Sequence, residues 1–273
     1  MQTLDRPGMQ MPLLGFGTFQ LQGSTACHMV EAALEIGYTH IDTAQNYGNE
    51  AEVGAAVAAA GVPRERLFIT TKVWIDRFRD WELQLSVDES LKRLHMDYVD
   101  LLLLHWPNPR VPLAETVAAL NAVHRQGLAR AIGVSNFTIA LMQEAAALSE
   151  APLAMNQVEY HPYLDQSRVI AAAERLGLGI TAYAPLARGR IIGDPVLREI
   201  GAHYGKNAAQ VALRWLVQQG VAAIPRSARI EHARTDFAIF DFKLSAGEMA
   251  RIHALARPGG RLVAPTHLAP EWD

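Results

Sequence analysis

Internal disulfides are excluded at once, because the chain has a single cysteine, Cys27. It falls in an apolar helical pattern, where a small core side chain is expected. With no signal-peptide pattern at the start either, the sequence points to a reducing cytoplasm. Charge of one sign is also lacking. Lysine and arginine total 25 against 28 for aspartate and glutamate, a formal net charge of -3 spread evenly along the chain. There is therefore no basic face of the kind that binds a phosphate backbone, and no nucleic-acid partner is expected. Long hydrophobic runs are absent. The most apolar stretch, YVDLLLLHW, is far shorter than the ~20 residues that cross a bilayer. No low-complexity linker divides the 273 residues, of which 50% are hydrophobic. They suffice for one large core, and residues 1–273 read as one domain.

One further absence narrows the fold. GFGTFQ begins like a dinucleotide fingerprint but lacks the third glycine, and no helix starts directly after it. An open doubly wound sheet that binds a dinucleotide would carry G-x-G-x-x-G there. What is present is a rhythm of short apolar runs and amphipathic helices. The runs are LLGFGT, THIDTA, LFITTKVW, YVDLLLLHW, RAIGVSN, LAMNQVEY, GITAYAP and VAAIPRS. Helical stretches between them include ACHMVEAALEIG, NEAEVGAAVAAAG, WELQLSVDESLKRLH, LAETVAALNAVHRQG and QSRVIAAAERLG, several ending on glycine. Runs such as VDLLLL do not alternate, as parallel strands buried on both faces should not. Eight such strands alternating with helices predict an α/β fold, the (β/α)8 TIM barrel. The residues before LLGFGT predict a short N-terminal hairpin closing its bottom. NAAQVALRWLVQQG predicts an extra helix before the eighth strand, and SAGEMARIHALA another after the barrel.

In such a barrel the chemistry sits at the C-terminal ends of the strands. The polar residues there are Thr18, Asp42, Lys72, His105, Ser135, Asn136, Gln157, Tyr183, Arg226 and Ser227, with Tyr47 just beyond Asp42. Each has an ordinary reading. Asp42 and Tyr47 lie in DTAQNYGNE, where turn chemistry, a flexible Gly48 and a helix-capping Asn49 account for the composition. Lys72 can reach for solvent, and His105 can be a satisfied core histidine. As a set they make chemical sense. A free tyrosine holds its proton with a pKa near ~10. A lysine cation favours the phenolate and should lower that value, and a carboxylate keeps the lysine charged and in place. A histidine can hydrogen-bond a substrate oxygen. This is a general acid suited to carbonyl reduction, for which a nicotinamide must supply the hydride.

LGFGTF, HIDTAQNYGNE, FITTKVW, YVDLLLLHWP, AIGVSNF, MNQVEYHPY, AYAPLARG and IPRS together resemble the aldo-keto reductases over essentially the whole chain. The ending RLVAPTHLAPEWD is most similar to the bacterial 2,5-diketo-D-gluconate reductase B branch, whose members are also known as methylglyoxal reductases. The resemblance implies a catalytic tetrad of Asp42, Tyr47, Lys72 and His105, with Tyr47 the proton donor. It implies that Tyr183 stacks on the nicotinamide and that Ser135, Asn136 and Gln157 hold its carboxamide. Pro185, Leu186, Ala187 and Arg188 match the loop along the pyrophosphate. Thr18 and Phe19 match the first loop, where backbone meets cofactor and the ring borders substrate. Trp74 and Trp106 match the aromatic walls of the substrate pocket, alongside Phe19, Tyr47 and His105.

The chain departs from the family at the 2'-phosphate and adenine end. Arg226 stands for the usual lysine, Ser227 is retained and Arg229 adds a donor. His232 stands where many relatives have arginine, and Thr235 and Asp236 replace a Glu-Asn pair. NADPH is expected to be preferred, with NADH accepted by a smaller margin than in those relatives. The short segment after Gly260 predicts an open, shallow pocket, closed on one side by Trp272 or merely backed by it. Small polar carbonyls, 2-oxoaldehydes and keto-sugar acids, are the expected substrates, and a monomer the expected state. Fold alone decides no chemistry, and three other readings stay open. A Schiff-base aldolase using Lys72 would be trapped by borohydride. A metal-dependent hydrolase would need clustered ligands around His105 or His161. A non-enzymatic nucleotide-binding regulatory protein would keep the fold without turnover.

Overall fold

The computed structural model describes residues 2–273 and begins with a hairpin. Strands β1 (Thr3–Arg6) and β2 (Met9–Pro12) pair antiparallel. Leu4, Met9 and Met11 are buried, and Leu4 lies against Gly179, at the N-terminal end of a barrel strand. The hairpin thus covers the bottom of the barrel, as its position in the sequence predicts.

Eight parallel strands form the wall: β3 (Phe16–Gly17), β4 (His40–Asp42), β5 (Phe68–Val73), β6 (Val99–Leu104), β7 (Ala129–Ser135), β8 (Leu153–Glu159), β9 (Gly179–Tyr183) and β10 (Ala222–Ala223). Each pairs with the next in sequence. Leu14 bridges Ala223, and the Gly17 N–H donates to the Pro225 carbonyl at 2.9 Å, so the first strand meets the last and the ring closes. Gly17 is needed at this seam, because a Cβ there would lie 2.9 Å from the Ile224 carbonyl oxygen. Every residue of β5, β6 and β8 is buried. That is why the sequence does not alternate there, most plainly in VDLLLL of β6.

The helices α1 (Gly23–Ile36), α2 (Glu50–Ala59), α3 (Asp80–Leu94), α4 (Leu113–Arg125), α5 (Ile139–Leu148) and α6 (Ser167–Arg175) follow the first six barrel strands. Two helices, α7 (Pro195–Tyr204) and α8 (Ala208–Gln218), precede β10. The second is the expected extra helix, and α7 adds to the elements read from the sequence. It starts cleanly, with Pro195 at its first position and the Asp194 carboxylate accepting from the N–H groups of Val196 and Leu197. After the barrel come α9 (Ile230–Phe237) and α10 (Ala246–His253), the latter in a capping box between Ser245 and Glu248. Residues 254–273 form turns but no helix or strand. Cys27 is only partly buried, less enclosed than its pattern suggests.

Candidate active site

Strand β4 delivers Asp42 at its end, and a single 3-10 turn, Gln45–Tyr47, carries the phenol. Gly48 ends that turn with φ 65°, a left-handed conformation that glycine adopts without strain. Asn49 does not cap α2 with its side chain. Instead its amide donates to the carbonyls of Thr18 and Leu21, both at 2.9 Å, and its oxygen accepts from the Thr43 hydroxyl at 2.8 Å. It ties the turn to the loop after β3. Gln45 ties the same turn to the opposite side, accepting from the Trp74 N–H at 2.9 Å and donating to Ser86 and Ser90.

Lys72, buried in β5, sits beneath the turn. Its ammonium donates to Asp42 Oδ1 at 2.5 Å, to the Thr43 carbonyl at 2.8 Å and to the Tyr47 hydroxyl at 3.3 Å. The other Asp42 oxygen accepts from the Gln157 amide at 2.7 Å. One carboxylate thus links the lysine to the far side of the barrel. The His105 ring meets Tyr47 edge-on at 5.6 Å and Trp74 at 5.2 Å, and Phe19 approaches Tyr47 at 5.1 Å. Burial, reinforced by the Lys72 charge, holds His105 well below its ordinary pKa, so the ring is neutral. Burial pulls Lys72 down, while the Asp42 contact opposes it. Tyr47 goes the other way from the simple expectation. Burial, followed by the Asp42 charge, pushes its phenol well above the ordinary value. The resting site keeps Tyr47 protonated rather than depressing its pKa through Lys72.

Ser135 and Asn136 do not cap α5, where Thr138 accepts from the Leu141 N–H. The Ser135 hydroxyl donates to the Gln157 carbonyl at 2.8 Å. Asn136, at φ 63°, donates to the His105 carbonyl at 3.0 Å and accepts from the Tyr183 hydroxyl at 2.7 Å. The strand ends are therefore cross-linked in a chain from Tyr183 through Asn136 to His105.

These groups face one cavity of about 1070 Å³. Phe19, Asp42, Tyr47, Trp74, His105 and Trp106 line one part. Ser135, Asn136, Gln157, Tyr183, Pro185, Leu186 and Arg188 continue the wall, and Arg226, Ser227, His232 and Asp236 lie at the outer end. Four expected residues are not on the wall. Lys72 acts from below, and Thr18 is buried with its hydroxyl on the Asp42 carbonyl at 3.0 Å. Ala187 is buried, and the exposed Arg229 guanidinium turns toward Glu231 at 3.8 Å. Arg226 reaches back to the Phe19 carbonyl at 2.9 Å and to Gln20 at 3.1 Å.

The structure adds wall residues that carry no signal in the sequence pattern. Arg198 and Lys206 come from α7 and its following turn, which the strand rhythm did not place. Val263, Pro265 and Leu268 come from the last segment, so the pocket has a wall there rather than the open side expected. Trp272 backs that wall, meeting Trp106 edge-on at 6.3 Å. Asp236 is buried with no hydrogen-bond or ion-pair partner among the described residues, and burial raises its pKa to about 7. Ala184, Ala187 and Arg188 all have positive φ, at 47°, 47° and 53°, and bend the loop after β9 around the cavity.

The cavity fits a dinucleotide. Its wall carries Arg188, Arg198, Arg226 and His232, which could hold phosphates, and also the Tyr183 ring and side-chain amides; Lys206 is engaged by Asp241 and the Ala238 carbonyl. The rival chemistries find less. The Lys72 amine is buried and off the wall, where a carbonyl cannot reach it. Among the described residues, no group of three or more His, Cys, Asp or Glu is placed to hold a metal ion.

A closed barrel with a phenol, a carboxylate and an imidazole on the wall of one cavity, and an amine beneath them, is the arrangement of an oxidoreductase of the barrel type. The model of the aldo/keto reductase family matches residues 13–257, and the chain belongs to that family. Its members use nicotinamide cofactors. The chain is 44% identical over 268 residues to methylglyoxal reductase DkgB of Escherichia coli O157:H7, covering 97% of this chain and 100% of that one. Glyoxal reductase of Bacillus subtilis strain 168 is 40% identical over 250 residues, 91% of this chain and 90% of its own. A crystal structure of a candidate 2,5-diketo-D-gluconic acid reductase B matches with a TM-score of 0.98 and 53% identity, covering 100% of this chain and 98% of that one. Aldose reductase from Schistosoma japonicum matches at 0.90 and 32%, covering 94% of each chain.

Proposed function

We propose that this chain reduces small aldehydes and ketones to alcohols with NADPH, as a cytoplasmic monomer and with Tyr47 as general acid. Its substrates in this reading are 2-oxoaldehydes such as methylglyoxal and keto-sugar acids such as 2,5-diketo-D-gluconate. The observation that carries it is the Lys72 ammonium, 3.3 Å from the Tyr47 hydroxyl and salt-bridged to Asp42. The relatives named for methylglyoxal, glyoxal and 2,5-diketo-D-gluconic acid reduction support the substrate class.

A bound nicotinamide supplies the hydride. The protein's own part is the proton and the positioning. Tyr47 holds its proton at rest, because burial and Asp42 disfavour the phenolate. It gives that proton to the carbonyl oxygen as charge develops there. The phenolate left behind lies nearest the Lys72 cation, which stabilises it, and Asp42 keeps that cation in place. Neutral His105 donates an N–H to the same oxygen and fixes its direction. Ser135, Asn136 and Gln157 would hold the carboxamide of a bound nicotinamide, and the Tyr183 ring would support it.

Arg226 and Ser227 on the cavity wall favour the 2'-phosphate, while His232 lacks the guanidinium fork of an arginine, so the preference for NADPH over NADH is moderate. The test is nicotinamide oxidation followed by absorbance, with methylglyoxal and 2,5-diketogluconate and both cofactors in parallel. Turnover that favours NADPH and collapses in Tyr47→Phe is the expected result. Equal efficiency with the two cofactors refutes the preference. Tight NADPH binding with no turnover on a broad carbonyl panel refutes the reductase.

A further inference from the structure

Residues 254–273 have no helix or strand, yet Val263, Pro265 and Leu268 from this segment form part of the cavity wall. Irregular backbone holds a shape only where something outside it takes its hydrogen bonds. The Arg257 N–H donates to the Tyr163 carbonyl and the Asp273 carboxylate accepts from the Ile139 N–H, but where the chain enters the wall, at residues 262 and 263, the partner is one side chain. Glu159, the last residue of β8, is fully buried. Its Oε1 accepts from the Leu262 N–H at 2.7 Å and from His161 Nε2 at 3.0 Å, and its Oε2 accepts from the Val263 N–H at 2.9 Å. Arg261 Nη1 lies 3.9 Å from the same Oε2. Two consecutive backbone amides on the two oxygens of one carboxylate fix both the position and the direction of the chain as Val263 joins the wall. Arg261 extends the clasp outward. Its guanidinium stacks on Trp272 at 3.6 Å, and Trp272 backs Trp106, which is also part of the wall. Glu159 itself does not line the cavity.

We propose that Glu159 is a positioning residue for substrate selection, holding the C-terminal segment so that Val263, Pro265 and Leu268 contact carbonyl substrates larger than three carbons. This rests on the reductase reading for its substrate consequence, though not for the clasp. A buried carboxylate retained at a strand end needs partners, and the tail supplies them. The tail has no ladder of its own, so the dependence runs in both directions. A six-carbon keto-sugar acid extends to the tail side of the cavity, whereas methylglyoxal is satisfied near Tyr47 and His105.

The variant Glu159→Gln keeps the size of the side chain but leaves one of the two amides facing an NH2 group. The experiment compares it with the parent enzyme and with Glu159→Asp by limited trypsin digestion after Arg261, NADPH binding, and kcat and KM for both substrates. Faster cleavage after Arg261 is expected in Glu159→Gln, with the NADPH dissociation constant and kcat unchanged. The KM for 2,5-diketogluconate should rise roughly tenfold, the scale of one lost charge-assisted hydrogen bond, and that for methylglyoxal little. Glu159→Asp should recover part of the loss. Unchanged cleavage overturns the clasp. A lower kcat at fixed KM, or equal shifts for both substrates, overturns the role in selection. Should Glu159→Gln not fold, Arg261→Gln severs the outer half of the clasp, and the same KM split and a red-shifted Trp272 fluorescence are expected of it. Absence of any carbonyl turnover in the parent enzyme defeats the reductase reading instead, while trypsin still reads the clasp.

Discussion

Removing a single oxygen from Tyr47 separates proton donation from everything else the turn does. Tyr47→Phe keeps the ring against Phe19 and His105, so cofactor affinity should hold while kcat falls by roughly 10²–10⁴, the general-acid contribution. Lys72→Met should lower kcat comparably, because nothing then stabilises the phenolate. It should also cost about 3 kcal/mol of stability, read by urea unfolding, since it leaves Asp42 buried with only the Gln157 amide as partner. A Lys72→Met enzyme of parental stability would show that the pair contributes nothing to folding. At this scale the sequence was informative where residues fall at strand ends, which a closed barrel forces to converge. Asp42, Tyr47, Lys72 and His105 were legible for that reason. The Gln157–Asp42 bond was not, because it spans 115 positions and depends on the stagger of strands across the barrel. The resting state of Tyr47 was also misread. A pairwise view of lysine and phenol omits burial, which is the larger effect.

Among the elements, the turn after β4 depends on its neighbours more than on its own geometry. Asn49→Ala removes two donated hydrogen bonds, leaves the Leu21 carbonyl and the Thr43 hydroxyl without their Asn49 partner, and leaves the Thr18 carbonyl with only the Leu21 N–H. The expected cost is about 2 kcal/mol or more by chemical denaturation, with kcat falling as Tyr47 loses its placement. An unchanged kcat in a destabilised Asn49→Ala protein would mean the loop after β3 does not position the phenol. The eight strands were visible because buried parallel strands leave continuous apolar runs. The helix α7 and the tail left no comparable trace. The first has its start set by a local cap and adds a helix outside the strand–helix alternation, and the second is shaped by Glu159 from a distant strand.

For the molecule as a whole, two buried groups tilt stability with pH in opposite senses. Burial lowers the His40 pKa to about 4, against an ordinary 6.5. As pH falls below 6.5 the unfolded chain takes up a proton that the native ring refuses, so stability is lost down to pH 4 and then levels off. Asp236, raised to about 7 from 3.8, keeps its proton in the native state while the unfolded chain ionises. It therefore costs stability as pH rises from 3.8 to 7, and that cost disappears on acidification. Each amounts to about 3–4 kcal/mol at its extreme. Difference curves against the parent protein should separate them. Asp236→Asn should be more stable at pH 8, with the gain gone near pH 4. For His40→Gln, the stability difference from the parent should improve as pH falls from 6.5 to 4. Flat difference curves in both variants would show that neither group titrates as its burial implies.

The reach of Arg226 back to the Phe19 carbonyl has a consequence for engineering. This arginine of the cavity wall is fastened to the residue whose ring lies against the phenol, 5.1 Å from Tyr47. Under the proposed function, coenzyme choice and carbonyl choice therefore share one mechanical part. A redesign that swaps Arg226 to recruit the cheaper coenzyme also loosens the mouth of the substrate pocket, and the two specificities will evolve together rather than one at a time.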